Sequence, residues 1–292
     1  MTSQGLEHEI ELIDSFDGTE IALHHMGHGD GIPLLVANAI GANLAPWRRA
    51  LVDVVRERPV VTWDHRGLLD SGPPASQRND ARAHAEDALA ALDHYGIDRF
   101  VVASWSNGTR IALQIAADHP DRVAGFVGVN GGYGNPLGRL LRLELGSAVP
   151  VVASVAKYFA GPLETAFRKL VSRPELTGLI RQSGMVGATA DTAALIDLLK
   201  GMAESDLKTL LATLDEVGGD SGAELLPLIQ APTLLIVGDH DQFTSRAMIE
   251  EMHRAIAASR VITYEGATHY LPLEFPARVS HDLRTFLEEL GA

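Results

Sequence analysis

From Phe100 to Leu113 a β-branched, apolar run turns into a helical pattern with no linker between the two. Phe100, Val101 and Val102 read as a buried strand, and Ile111, Leu113, Ile115 and Ala116 as one face of a helix. Ser106 sits at the point of change, with the small residue Ser104 two positions before it and Gly108 two positions after. That is the form of a nucleophile elbow, a strand-to-helix turn so sharp that its central side chain projects beyond the end of a sheet. Strand and helix nearly collide there, so the flanking positions need small residues. The helix that follows directs its positive end at the projecting group, where it favours developing negative charge. Ser104 stands where such elbows more often carry glycine. Taking Ser104 as the nucleophile would put Val102 and Ser106 at the flanks and bury the nucleophile in the strand, so Ser106 is the candidate. The plainer alternative is a serine-rich strand end that caps the helix.

The rest of the chain repeats this alternation. Residues 8–14 and 19–25 read as strands joined by a turn at Asp17 and Gly18. Pro33 to Ala37, Pro59 to Trp63, Val123 to Val129, Pro232 to Gly238 and Arg260 to Tyr264 are short runs rich in apolar residues, of the kind found in parallel sheets. Helical patterns are expected over Pro46 to Arg56, Asp80 to Tyr95, Ser245 to Ala258 and Pro276 to Leu290. Alternating strands and helices with short links imply an α/β fold with a mostly parallel central sheet flanked by helices. From Tyr133 to about Gly222 the alternation stops. Apolar residues fall at helical spacing, as in Leu140, Leu141 and Leu143 and again in Leu195, Ile196, Leu198 and Leu199. Residues 133–222 therefore read as an inserted helical segment, and residues 1–132 and 223–292 as the core domain.

Composition narrows the partners. A formal net charge of −14 argues against nucleic acid and anionic membrane surfaces, which need clustered Lys and Arg. The absence of cysteine removes disulfides, thiolate catalysis and Cys-ligated metal. The first residues show no basic stretch followed by an apolar core, and the apolar run Ala148 to Ala156 is interrupted by Pro150. A soluble cytoplasmic protein without stable membrane insertion is the expectation; a homo-oligomer stays open.

In open α/β sheets, reactive groups gather beyond the carboxyl ends of the strands. After Val237 come Gly238, Asp239, His240 and Asp241; after Tyr264 come Glu265, Gly266, Ala267, Thr268 and His269. With Ser106 these supply a nucleophile, an acid and a base in that chain order. A serine hydroxyl needs a base to take its proton, and the base needs an acid to fix its tautomer and stabilise its charged form. His269 is the expected base and Asp241 the orienting acid. Asp239, nearer the strand, is the alternative acid and is more readily a turn-holding residue. His65 and His240 are read as non-catalytic.

At this point the chain resembles the α/β-hydrolase fold superfamily. The resemblance rests on Ser104 to Gly108, on Asp64 to Gly67 with Ser71, on Gly238 to Asp241, and on Gly266 to His269 followed by Glu274 and Pro276. It implies an oxyanion hole made by the backbone N–H groups of Asn107 and of Ile40, in the loop after the third strand. Most relatives carry His-Gly in that loop. Here Asn38 to Leu44, with Trp47, is similar to the corresponding loop of 3-oxoadipate enol-lactonases, where asparagine also replaces the histidine. A small anionic lactone would call for cations, for which Arg110, Arg139, Arg142, Arg168 and Lys169 are candidates. Asp64 and Arg66 would brace loops rather than react. The insertion lies where superfamily members carry a helical cap. Leu143, Val151, Val152, Val155, Tyr158 and Phe159 would favour an apolar substrate, or simply fill the cap's own core.

The expectation is a serine hydrolase acting on a small-molecule ester, thioester or lactone through an acyl-enzyme on Ser106. The chain offers no metal-ligand cluster or nucleotide loop, so no cofactor is expected. C–C bond hydrolysis or cofactor-free perhydrolysis by the same three residues is the alternative, and a non-catalytic ligand-binding protein on this fold is the alternative from outside enzymology.

Overall fold

The β-branched runs assemble into one eight-stranded sheet, as expected of short segments apolar on both faces. In the computed structural model, which describes residues 9–134, 160–171, 173, 175–219 and 222–291, the strands are β1 (Glu9–Asp14), β2 (Glu20–Met26), β3 (Leu34–Ala37), β4 (Val60–Trp63), β5 (Phe100–Trp105), β6 (Val123–Val129), β7 (Thr233–Gly238) and β8 (Ser259–Tyr264). Their order across the sheet is β1-β2-β4-β3-β5-β6-β7-β8. β1 and β2 form the expected hairpin, β2 pairs with β4 antiparallel, and every later pairing is parallel.

Period-two alternation sends neighbouring residues to opposite layers. Leu35 and Ala37 join a cluster with Ile111 and Ile115 of α3 (Gly108–Asp118) and with Ala85, Ala88 and Leu92 of α2 (Ala81–His94). Leu34 and Val36 join the opposite cluster, with Trp47, Leu51 and Val54 from the stretch ending in α1 (Val54–Glu57). The sheet is thus covered on both faces, as its apolar strands require. α2 starts where Asp80 accepts a hydrogen bond from the Ala83 N–H, a side-chain N-cap. The helix expected over Pro46 to Arg56 is shorter: residues 45–53 are turns, and only residues 54–57 are regular helix. Trp47 is held there by its own indole, which donates to Asn38 Oδ1 at 3.2 Å, so burial and a side-chain bond fix a path that regular helix would not follow.

Between β6 and β7 the described residues form α4 (Ala160–Val171), α5 (Leu176–Gln182), α6 (Thr192–Glu204) and α7 (Leu207–Gly219), then a 3-10 turn over Gly222–Leu228. Leu195 and Leu198 are buried, as the apolar spacing of α6 predicts. Ile196 and Leu199 are half-buried beside them, and Leu140, Leu141, Leu143, Val151, Val152, Val155, Tyr158 and Phe159 lie outside the described residues. α6 and α7 rest on loops at the carboxyl ends of the strands. A side chain at Gly41 would meet Leu210 of α7 at 2.6 Å, and one at Gly67 would meet Thr209 at 2.7 Å. Asn43 Nδ2 donates to Asp197 O at 3.0 Å, and Asn79 Nδ2 to Thr213 Oγ1 at 2.6 Å. The chain closes with α8 (Arg246–Ala255), the short α9 (Leu271–Glu274) and α10 (Pro276–Glu289). Among the described residues no helix is long and apolar enough to cross a membrane.

Candidate active site

Ser106 follows β5 with φ of +55°, a left-handed conformation that is uncommon outside glycine. Its backbone is fixed on both sides: its N–H donates to Val129 O at 3.1 Å, and its carbonyl accepts from Thr109 N at 3.0 Å. The tightness of the turn explains both flanks. A Cβ on Gly108 would lie 2.2 Å from the carbonyl oxygen of Ala37. At the other flank Ser104 is fully buried, and its hydroxyl is consumed by Thr109 Oγ1 at 3.0 Å and Val127 O at 3.0 Å. The serine that replaces the usual glycine is therefore accommodated by two hydrogen bonds and is too enclosed to act as the nucleophile.

Three loops converge on Ser106. His269 Nε2 is 2.8 Å from Ser106 Oγ, and His269 Nδ1 is 3.0 Å from Asp241 Oδ2 and 3.1 Å from Oδ1. An ionised carboxylate only accepts, so Nδ1 carries the proton and the lone pair of Nε2 faces the hydroxyl. The Asp241 side chain is fully buried, and its Oδ1 accepts from the backbone N–H groups of Phe243 at 2.8 Å and Thr244 at 3.0 Å. Those two bonds offset the desolvation of the charge and aim the carboxylate. Asp239 points elsewhere: its Oδ1 accepts from Gly266 N at 2.7 Å and ties the two turns together. The ring of His269 is bordered by Phe243 at 4.8 Å, Trp105 at 5.9 Å and Tyr270 at 5.9 Å between centroids. Burial, with the nearby carboxylates of Asp241 and Glu274, raises the phenol of Tyr270 above its ordinary pKa, so it stays neutral. The imidazole thus sits against a mostly apolar wall.

The contact of Gly108 with Ala37 and Asn38 presses the loop after β3 against the start of α3. Asn38 shapes that loop from within. Its Nδ2 donates to Ala42 O at 2.9 Å and Asn43 O at 2.7 Å, and its Oδ1 accepts from Ala39 N at 2.9 Å. The backbone N–H groups of Ile40 and Asn107 make no hydrogen bond to a described residue, which leaves both as donors.

The candidate cations among the described residues do not gather here. Arg110 is buried and donates along its own helix to Gln114 Oε1 at 3.0 Å, and Gln114 donates in turn to Asp118. Arg168 binds the carbonyls of Ala203 and Glu204 at the end of α6. Lys169 is exposed on α4, and Arg139 and Arg142 lie outside the described residues. Asp64 and Arg66 bind structural partners. Asp64 Oδ1 lies 3.0 Å from His24 Nε2, and Arg66 forks onto Asp87 at 2.8 and 2.6 Å and reaches Asp17 at 2.9 Å. His65 is buried against the ring of His84, and His240 is exposed.

Two neighbours of the site, Asn130 and Glu274, were given no role from the sequence, although Glu274 belongs to the stretch that carries the family resemblance. Asn130, just after β6, reads in the chain as the start of a glycine turn, yet its amide reaches both the Asp241 turn and the His269 loop. Glu274, five positions beyond His269, accepts from Thr268 N at 2.8 Å, Thr268 Oγ1 at 2.5 Å and Gly187 N at 2.6 Å. The one clue for Asn130 was its place at the carboxyl end of a strand.

Residues 32–276 match the family model of the alpha/beta hydrolase fold. RutD, a proposed carbamate hydrolase of Caulobacter vibrioides, is 34% identical over 118 residues, 39% of this chain and 44% of that protein, so the chain aligns with less than half of RutD. The pimeloyl-[acyl-carrier protein] methyl ester esterase of Neisseria meningitidis is 30% identical over 233 residues, 76% of this chain and 82% of the esterase. The crystal structure of the enol-lactonase from Burkholderia xenovorans LB400 superposes with a TM-score of 0.71 at 19% identity, covering 95% of this chain and 100% of that one, a likeness of fold.

Proposed function

Because the chain belongs to the α/β-hydrolase fold family, we propose that it is a serine hydrolase that cleaves a carboxylic ester, thioester or lactone through an acyl-enzyme on Ser106. The observation that carries this reading is the continuous line from Ser106 Oγ through His269 to Asp241 at 2.8 and 3.0 Å. Ser106 attacks the carbonyl carbon while His269 Nε2 takes its proton. The carbonyl oxygen becomes an oxyanion and receives the N–H groups of Asn107 and Ile40, aided by the positive end of α3. His269 returns the proton to the leaving oxygen or sulfur. It then takes a proton from water, whose oxygen attacks the acyl carbon, and passes that proton to Ser106 Oγ as the C–Oγ bond breaks and the acid leaves. Asp241 holds the Nδ1–H tautomer throughout.

The described helices between β6 and β7, α4 to α7, act as a cap. The close approach of α7 to Gly41 and Gly67 supports this, because those glycines lie in the loops after β3 and β4. The aromatic border of His269 favours substrates with an apolar portion, and the dispersal of Arg110 and Arg168 speaks against a strongly anionic one. The esterase from Neisseria supports an ester as the bond cleaved. The name of RutD brings carbamates into the assay set.

Wild type and Ser106→Ala are compared on short-chain p-nitrophenyl esters, thioesters, lactones and carbamates. We expect loss of at least about 10³-fold in kcat/KM on the preferred class, in line with removal of a nucleophile. Equal rates for the two proteins on every class would sink the reading.

A further inference from the structure

We propose that Asn130 is a positioning residue that locks the base loop and the acid turn into one geometry; this deepens, and rests on, the assignment of Ser106, His269 and Asp241 above. Asn130 is fully buried and has φ of +44°, a left-handed conformation that asparagine tolerates better than other residues with a Cβ. Its side chain serves two loops at once. Both hydrogens of Nδ2 are donated, to Thr268 O at 2.8 Å and to His269 O at 3.0 Å, and Oδ1 accepts from Gly238 N at 2.8 Å. Its backbone extends the reach: the N–H donates to Ile236 O at 2.8 Å, and the carbonyl accepts from Thr244 Oγ1 at 2.9 Å.

These partners adjoin the reacting groups without being them. The carbonyl that Asn130 holds at His269 belongs to the base itself, and a second donor, Trp105 Nε1, meets the same oxygen at 3.0 Å. On the acid side, Gly238 O accepts from Asp241 N at 3.2 Å, and Thr244 N donates to Asp241 Oδ1 at 3.0 Å. Asn130 therefore grips the segments on both sides of the imidazole–carboxylate pair, and its hydrogen bonds run to backbone groups and the Thr244 hydroxyl rather than to ring or carboxylate. The site asks for two donors and one acceptor on a short side chain in a left-handed backbone, and asparagine supplies all of them. Aspartate would turn an oxygen toward two carbonyl oxygens. An apolar residue would deprive the Thr268 carbonyl and the Gly238 N–H of these bonds and leave His269 O to Trp105 alone.

Placement of a proton-transfer group matters on the scale of an ångström. A shift of that size costs on the order of 100-fold in rate without altering how substrate is held. The experiment uses Asn130→Asp, which keeps the size, and Asn130→Gly, which keeps the left-handed backbone without strain. Titration with a fluorophosphonate probe counts competent molecules, and rates are referred to that count. We expect kcat to fall by about 30- to 100-fold with KM within about threefold of wild type. The second-order rate of labelling falls with kcat, while labelling still runs to completion. A purely structural role would lower the melting temperature and leave the kcat of the labelled molecules unchanged. A fall in kcat of less than about threefold in either variant, whatever the loss of stability, overturns the proposal. Wild-type protein that takes no label, together with a fully active Ser106→Ala, would instead overturn the underlying reading of the site and this proposal with it.

Discussion

Asp241 and Asp239 share one turn, but their oxygens have different partners. Asp241 faces the imidazole and takes two backbone N–H groups, whereas Asp239 takes the N–H of Gly266. Asp241→Asn would present an amide to Nδ1 and favour the wrong tautomer, so kcat should fall by about 10³- to 10⁴-fold with the fold intact. Asp239→Asn should stay within about tenfold of wild type, because a weaker turn bond moves the loop only slightly. Steady-state kinetics on the two variants, with circular dichroism as the folding check, separates the roles; a reversed ranking would reassign the acid. Gly108 gives a second contrast at this scale. Gly108→Ala drives a methyl group into the carbonyl of Ala37, so the elbow and the loop after β3 must separate. We expect a cost of about 1–3 kcal/mol in denaturant unfolding and a larger proportional loss of kcat than of KM. The meeting of Ser106, His269 and Asp241 was legible in the chain because the proposed chemistry asks for a particular residue type beyond each of three strands. The acceptance of Ser104 was not, because it depends on Thr109 and Val127, whose approach only the fold creates.

Elements with strong periodicity were legible for a related reason. Asp80 caps α2 and Ser245 caps α8 through side-chain bonds that such residues offer locally. The stretch over residues 45–53 departed from its expected helix because its shape is set by the burial of Trp47 and by Asn38, partners remote from local propensity. The links between elements were the least legible, and Glu274 is the clearest case. Its buried carboxylate joins α9, the His269 loop and the segment leading into α6, with three donors. Glu274→Ala strands those donors, the two of Thr268 buried and that of Gly187 half-buried. We expect a loss of about 2–4 kcal/mol in global stability, measured by denaturant unfolding. Hydrogen exchange at the Gly187 and Thr268 amides should quicken together, because one carboxylate holds both. Faster exchange at Thr268 with unchanged protection at Gly187 would show that the two segments are held independently.

At the scale of the whole molecule, the buried titratable groups beneath the hairpin set how stability follows pH. Burial draws His65 down to about 4, against the pull of Asp64, and holds His84 well below its ordinary value, with His65 and Arg66 adding to the effect. Burial alone would raise the Asp17 carboxyl, but bonds from Ser76, Thr19 and Arg66 outweigh it and hold the group well below the usual carboxylate range. The signs follow from which state binds the proton. Above about pH 6.5 the two histidines are neutral in both folded and unfolded chains and contribute nothing. As pH falls below that value the unfolded chain gains protons that the folded chain refuses, so stability declines, by at most roughly 1.4 kcal/mol per pH unit for each group. For His65 the decline levels off near its folded value of about 4. Asp17 then takes over, since its contribution is present above the unfolded carboxylate range and is lost as pH falls toward its own depressed value. The overall slope also contains relief of self-repulsion as the net charge of −14 is neutralised, an effect of opposite sign. Comparing wild type with His84→Leu removes that common background. Between pH 6.5 and 5 the variant should lose less stability than wild type, by up to about 1.4 kcal/mol per pH unit in denaturant unfolding. Parallel slopes for the two proteins would mean that His84 is protonated in the folded chain, stabilised by Asp87, whose carboxylate lies 3.9 Å from its ring.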